Sequence, residues 1–186
     1  MTEEAQALKK RTIDAIIDIE GGYSDHPADS GGATMYGITE AVARAAGHTG
    51  PMRDLPRPLA FQIYVARYWN PLRLDDIAAL SVPIAAELAD TGINMGPPTA
   101  ARFLQRALNA LNQGGRAFAD VAVDGVAGGG TVTALQTFLR ARGEKGERVL
   151  LRALNCLQGA RYIALAENRE KDEAFVFGWL EHRVVV

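Results

Sequence analysis

Apolar positions recur at helical rather than strand spacing along most of the chain. Thr2 followed by Glu3 and Glu4 predicts a capped helix start, with a hydroxyl for the free amides and two carboxylates at the positive end of the dipole. Leu8, Ala15, Ile16 and Ile19 then predict one apolar face, and Gly21-Gly22 predicts where the helix ends. Between residues 23 and 38 glycine, proline and aspartate dominate, which predicts a loop or a short β-hairpin. Thr39 predicts the cap of a helix running to residue 46, and after a connector ending near Pro58 a further helix is expected over 59–69. Residues 81–111 read as two helices broken at Gly96-Pro97-Pro98, because this sequence cannot occupy a helix interior. A second glycine-rich loop covers 120–131, and amphipathic helices are expected over 131–142 and 147–169. The expected fold is mainly α, with a small β-hairpin or loop after the first helix. Two lobes, residues 1–89 and 90–186, are expected to pack as one compact unit.

Composition narrows the picture. With 186 residues, 48% hydrophobic, the chain is long enough for one globular domain with a sizeable core. The net charge of −2 gives no case for nucleic-acid binding, and the tilt between halves is slight: 12 Asp and Glu against 8 Lys and Arg in residues 1–89, 10 against 12 in 90–186. No apolar run approaches the roughly 18 residues of a membrane span. The charged start MTEEAQALKK lacks a secretory pattern, so synthesis and retention in the cytoplasm are expected until a holin or a secretion machine releases the protein. The single Cys156 excludes an internal disulfide and is expected in the core, as are Trp69 and Trp179. A monomer is expected.

Candidate chemistry gathers at Glu20. A carboxylate at the end of an apolar helix meets partial burial and the negative end of the helix dipole, and both favour its protonated form. Asp29, nine positions on, lies in a polar, glycine-flanked turn that keeps a carboxylate ionised. A protonated carboxyl facing an ionised one is the pairing used in glycoside hydrolysis. Thr34 offers a hydroxyl to hold water, and Gly31-Gly32 let the chain turn back toward Glu20. Residue types alone leave a plain alternative open, in which Glu20 is a solvated helix end and the aspartates cap turns.

The stretch EGGYSDHPADSGGATMYGIT resembles the signature of the glycoside hydrolase family 108 peptidoglycan muramidases, which include phage endolysins. RYWNPLRLDDI follows in order, and DTGINMGPPTAARFLQRALN and VDGVAGGGTVTALQ resemble the C-terminal region, of peptidoglycan-binding type, that accompanies that family. The resemblance implies an α-helical, lysozyme-like fold that cuts the β-1,4 bond between N-acetylmuramic acid and N-acetylglucosamine, with Glu20 as catalytic acid. By analogy with phage lysozymes it places Asp29 and Thr34 beside it, the spacing between these two being one residue shorter here. Two departures stand out: Ser30 where the family often has proline, and the triple glycine 128–130 in place of a Gly-Pro-Lys-like sequence. Bacterial peptidoglycan is the implied partner, and no metal or cofactor is required.

Tyr23 and Tyr36 are candidate sugar-stacking residues, and Asn94 a candidate for reaching the saccharide from the second lobe. The DSGG sequence at 29–32 also occurs in serine-protease nucleophile loops, but a helical chain whose only histidines are His26, His48 and His182 does not fit that chemistry. Asp25, His26 and Asp29 are weighed as metal ligands and read as turn-forming. Arg140, Arg142, Arg148 and Arg152 are weighed as partners for peptide-stem carboxylates and read as a solvated helix face. Two rival functions remain: a lytic transglycosylase using Glu20 alone, and a non-catalytic peptidoglycan-binding protein.

Overall fold

The computed structural model describes residues 2–25 and 32–184. Chain contacts divide it into two compact units, Thr2–Asn70 and a second beginning at Pro71.

In the first unit, α1 (Glu3–Glu20) starts where expected, with the Thr2 hydroxyl accepting from the Ala5 amide at 3.2 Å. It stops at Gly21, whose φ of 77° leaves the helical region. Its buried residues are Ala5, Leu8, Ile13, Ile16 and Ile17. This corrects the expected face: Ala15 is exposed, and Ile19 is 84% exposed. The 3.6-residue repeat explains the shift, since Ile13, Ile16 and Ile17 stand at i, i+3 and i+4, and the next place on that stripe belongs to Glu20, not Ile19.

Strands β1 (Thr34–Met35) and β2 (Ile38–Thr39) form the expected hairpin, pairing Thr34 with Thr39 and Met35 with Ile38. Ser24 joins the far side of β1 through a pair of backbone hydrogen bonds with Thr34, at 3.0 and 2.8 Å. Helix α2 (Glu40–Ala45) follows directly, with Thr39 at its N-cap but no hydrogen bond from the Thr39 side chain. Helix α3 (Arg57–Tyr64) continues as a π-helical turn at Val65–Trp69 that buries Trp69. Arg57 ties α3 to α1 with a fork to Asp18 (2.8 Å) and Asp14 (3.1 Å). The hydrogen bond from Lys10, then that from Arg57, hold the Asp14 carboxyl below its ordinary pKa.

The second unit is all helix and loop among its described residues. Its helices are α4 (Leu74–Leu80), α5 (Val82–Met95), α6 (Pro97–Leu111), α7 (Gly129–Asn168) and α8 (Glu173–Arg183). The break between α5 and α6 falls at Gly96, as expected, with Pro97 opening α6. The two helices expected over 131–169 are arms of α7, which loses helical geometry at Gly143 (φ 55°, ψ −152°). Leu88, Leu104, Leu108, Leu135, Leu150 and Leu154 form the centre of the core, each no more than 1% exposed. An amide row on α6 secures the glycine-rich loop. Gln105 donates to Asp124 (2.8 Å) and to the Val126 carbonyl (3.0 Å), and Asn109 exchanges two hydrogen bonds with Val121.

Two core expectations are corrected here. Cys156 is exposed, because the buried stripe of this arm runs through Leu150, Leu154, Gln158 and Tyr162 and leaves it to one side. Trp179 is half-buried on α8, a helix with no buried residue, where it packs against Tyr162 with ring centroids 5.1 Å apart. Trp69 is in the core at 1% exposure.

Candidate active site

The candidate site of the first unit is built on the end of α1 and the tip of the hairpin. Two residues, Tyr36 and Gly37, connect β1 to β2, and both have positive φ, 54° and 67°. This is the geometry of a two-residue turn whose twist matches that of the paired strands. Glycine adopts it without strain, whereas a tyrosine in the left-handed region needs support from its surroundings. Tyr64 supplies that support: buried at 4% exposure, its hydroxyl donates to the Tyr36 carbonyl at 2.8 Å.

Glu20 lies on this turn. A Cβ added to Gly37 would stand 2.8 Å from the Glu20 Cδ and 3.0 Å from its Cβ, closer than non-bonded carbons approach. Gly37 is therefore needed twice, for its positive φ and for the space the carboxylate occupies. The buried stripe of α1 explains why Glu20 points this way, since it continues Ile13, Ile16 and Ile17 by one more step. The burial expected of Glu20 is not found: the residue is exposed, because the stripe runs past the last turn of the helix onto an exposed glycine. Its position at the negative end of the helix dipole stands.

Beneath the turn, burial and then the charge of Glu20 push the Tyr64 hydroxyl up to about 12. Tyr64 therefore remains a neutral donor throughout the physiological range. Its ring stacks on that of Tyr68, centroids 6.0 Å apart, inside the π-helical turn. Such turns are frequent at functional sites.

Of the six residues singled out from the sequence, Glu20, Tyr23, Thr34 and Tyr36 all lie in this unit. Thr34 is half-buried, and its peptide group is held by Ser24. Tyr23 is 41% exposed, with its hydroxyl donating to Asp25 at 3.1 Å. The Arg53 guanidinium stands 5.3 Å from the Tyr23 ring centroid and covers one face of the ring. Asp29 and His26 lie outside the described residues. Asn94 belongs to the second unit, on α5, where its side-chain amide donates to the Asp90 carbonyl (2.8 Å) and carboxylate (3.1 Å). Among the described residues no group of three or more His, Cys, Asp or Glu is placed to hold a metal ion.

Tyr64, Gly37 and Arg53 were missed from the sequence. The Tyr-Gly dipeptide inside a glycine-rich stretch marks a turn, so Gly37 had a signal. Tyr64 and Arg53 had none, because their roles arise only when α3 and the segment before it fold against the hairpin.

Two family models match the chain in succession: Glycosyl hydrolase 108 over residues 13–96, and Predicted Peptidoglycan domain over residues 99–184. Among solved structures, the one titled "Structure of Brucella abortus SagA" is similar, with 25% identity, coverage of 92% of this chain and 97% of that one, and a TM-score of 0.50. No curated protein matches significantly. Glu20, its hairpin seat and Tyr64 all fall within the first matched region. The two matches stand in the order that the motifs led us to expect, and they show a glycoside hydrolase acting on peptidoglycan, with a region similar to glycosyl hydrolase 108 followed by one similar to the peptidoglycan-domain family.

Proposed function

We propose that this hydrolase is an N-acetylmuramidase, cleaving the β-1,4 bond between N-acetylmuramic acid and N-acetylglucosamine with Glu20 as general acid. The observation that carries the reading is the placement of Glu20, an accessible carboxyl lying against the Gly37 turn near a neutral, buried Tyr64. An acid that must protonate a bridging oxygen needs access to substrate and a fixed direction of approach. In this reading Asp29 orients or activates the attacking water and Thr34 holds it. In the same reading Tyr23 offers the ring face opposite Arg53, and Tyr36 its ring, to the sugars, while Asn94 is assigned a hydrogen bond to the saccharide. Cleavage is assigned to residues 1–89 and retention on the cell wall to residues 90–186.

Mass analysis of muropeptides released from purified sacculi tests the reaction type. Hydrolysis adds water and leaves reducing N-acetylmuramic acid ends. Products ending in 1,6-anhydro-N-acetylmuramic acid would instead establish a transglycosylase, which needs Glu20 but no second carboxylate. Sacculus binding without released sugar would reduce the protein to a wall-binding module. If Asp29 acts as base, the products invert and the two carboxyl groups stand about 6.5–9.5 Å apart.

A further inference from the structure

We propose that the cavity beside the break in α7 is a binding site for the peptide stems of peptidoglycan, held by their carboxylates. This rests on the peptidoglycan reading above and extends it from the glycan to the peptide. The cavity, of about 420 Å³, has apolar walls from Leu111, Phe138 and Val149, and the cationic residues Arg142 and Lys145 also line it. That size is within the range of small-molecule sites. A Cβ on Gly146 would stand 3.3 Å from both the Arg142 Cγ and the Phe138 Cε1, so the aliphatic part of Arg142 and the Phe138 ring close over this glycine.

The charges are not neutralised from within. Arg142 and Lys145 are exposed, and no carboxylate among the described residues pairs with either. The two acids nearest in sequence are engaged elsewhere, Glu144 with Arg148 at 3.7 Å and Glu147 with the Ser81 hydroxyl at 2.5 Å. Apolar walls joined to two unopposed cations select a short segment that carries free carboxylates beside methyl and methylene groups. The stem peptide has that chemistry, and the uncharged hydroxyls and acetamido groups of the sugars do not. This reading withdraws Arg142 from the purely solvated helix face expected from the sequence.

The test is a calorimetric titration of the whole chain with the free tetrapeptide L-Ala-γ-D-Glu-meso-diaminopimelyl-D-Ala, alongside decanoate as a plain amphiphilic anion. Saturable binding of the tetrapeptide is expected, weakened about tenfold or more in the double variant Arg142→Gln/Lys145→Gln and reduced by added salt. Both positions are exposed, so the double variant retains the fold. Equal affinity in the double variant, no uptake of tetrapeptide at millimolar concentration, or preference for decanoate would overturn the site. The probe contains no glycosidic bond, which separates the two claims. A protein that cuts sacculi but ignores the tetrapeptide loses only the pocket, and one that binds the tetrapeptide but cuts nothing loses only the muramidase reading.

Discussion

Two carboxyl groups, one in each unit, invite comparison. Glu20 is exposed at a helix end and rests on a hairpin glycine. Glu87 lies inside α5, half-buried, with its Oε1 sealed from solvent and without a hydrogen-bond partner among the described residues. Burial, and then the charge of Asp90, push Glu87 up to about 7, against hydrogen bonds from Asn155 and Thr91. By the usual rule that a strongly perturbed carboxyl marks an active site, Glu87 is the better general acid. Its surroundings do not fit that role. Asp90, next to it on α5, is held by Gln158 at 2.8 Å and Arg183 at 2.7 Å, contacts that join α5 to α7 and α8. Glu87 is therefore a polar group enclosed between helices, while Glu20 is exposed and lies against the Gly37 turn, with the access that the proposed proton transfer to a bulky polymer requires. Perturbation follows burial, and catalysis on a polymer needs exposure.

Substitutions can break this contrast or sharpen it. Glu20→Gln should have the largest effect, a fall in sacculus cleavage of at least about a thousandfold if proton donation is lost. Circular dichroism should show its fold intact. Gly37→Ala puts a methyl group where the Glu20 carboxyl lies and forces alanine to positive φ. Cleavage should fall roughly 10- to 100-fold, the scale of a displaced catalytic group, with a stability loss of about 1–2 kcal/mol in urea unfolding.

Glu87→Gln should affect stability rather than rate. The folded pKa of Glu87 is raised from 4.5 to about 7, so its favourable contribution is complete below about pH 4.5 and lost as pH rises through 7. The wild-type chain should weaken across that window, while the glutamine variant, which has no proton to lose there, should be steadier. Above pH 7 the variant should be more stable by about 1–3 kcal/mol, the range being discounted for partial exposure, as read from thermal melts at pH 5 and pH 8. The smallest effect belongs to Tyr64→Phe, which removes the hydroxyl supporting the Tyr36 carbonyl and should cost about 1 kcal/mol. A urea series would measure it, and a parallel loss of cleavage would show that the turn positions Glu20.

Much of the helical frame was legible because it is encoded locally. Thr2 caps, Gly21 stops, and Gly96-Pro97 separates α5 from α6, each through chemistry contained within a few residues. Errors of exposure came from judging faces by residue type. Ile19 and Cys156 are apolar residues placed off the buried stripe, and spacing alone could have revealed this for Ile19. The position of Glu20 at the helix end and the hairpin after it were also readable. What supports them was not: Tyr64 follows Tyr36 by 28 residues, and nothing local ties a helix tyrosine to a turn carbonyl. Helices α4 and α8 were not anticipated, because short or poorly buried segments carry weak periodicity.

The most direct measurement is the initial rate of muropeptide release from purified sacculi by Glu20→Gln and Glu87→Gln, assayed side by side at neutral pH with both folds verified. The account predicts that the first variant releases essentially nothing and that the second works at close to the wild-type rate. An active Glu20→Gln beside an inactive but folded Glu87→Gln would contradict it and move the chemistry to the buried carboxyl.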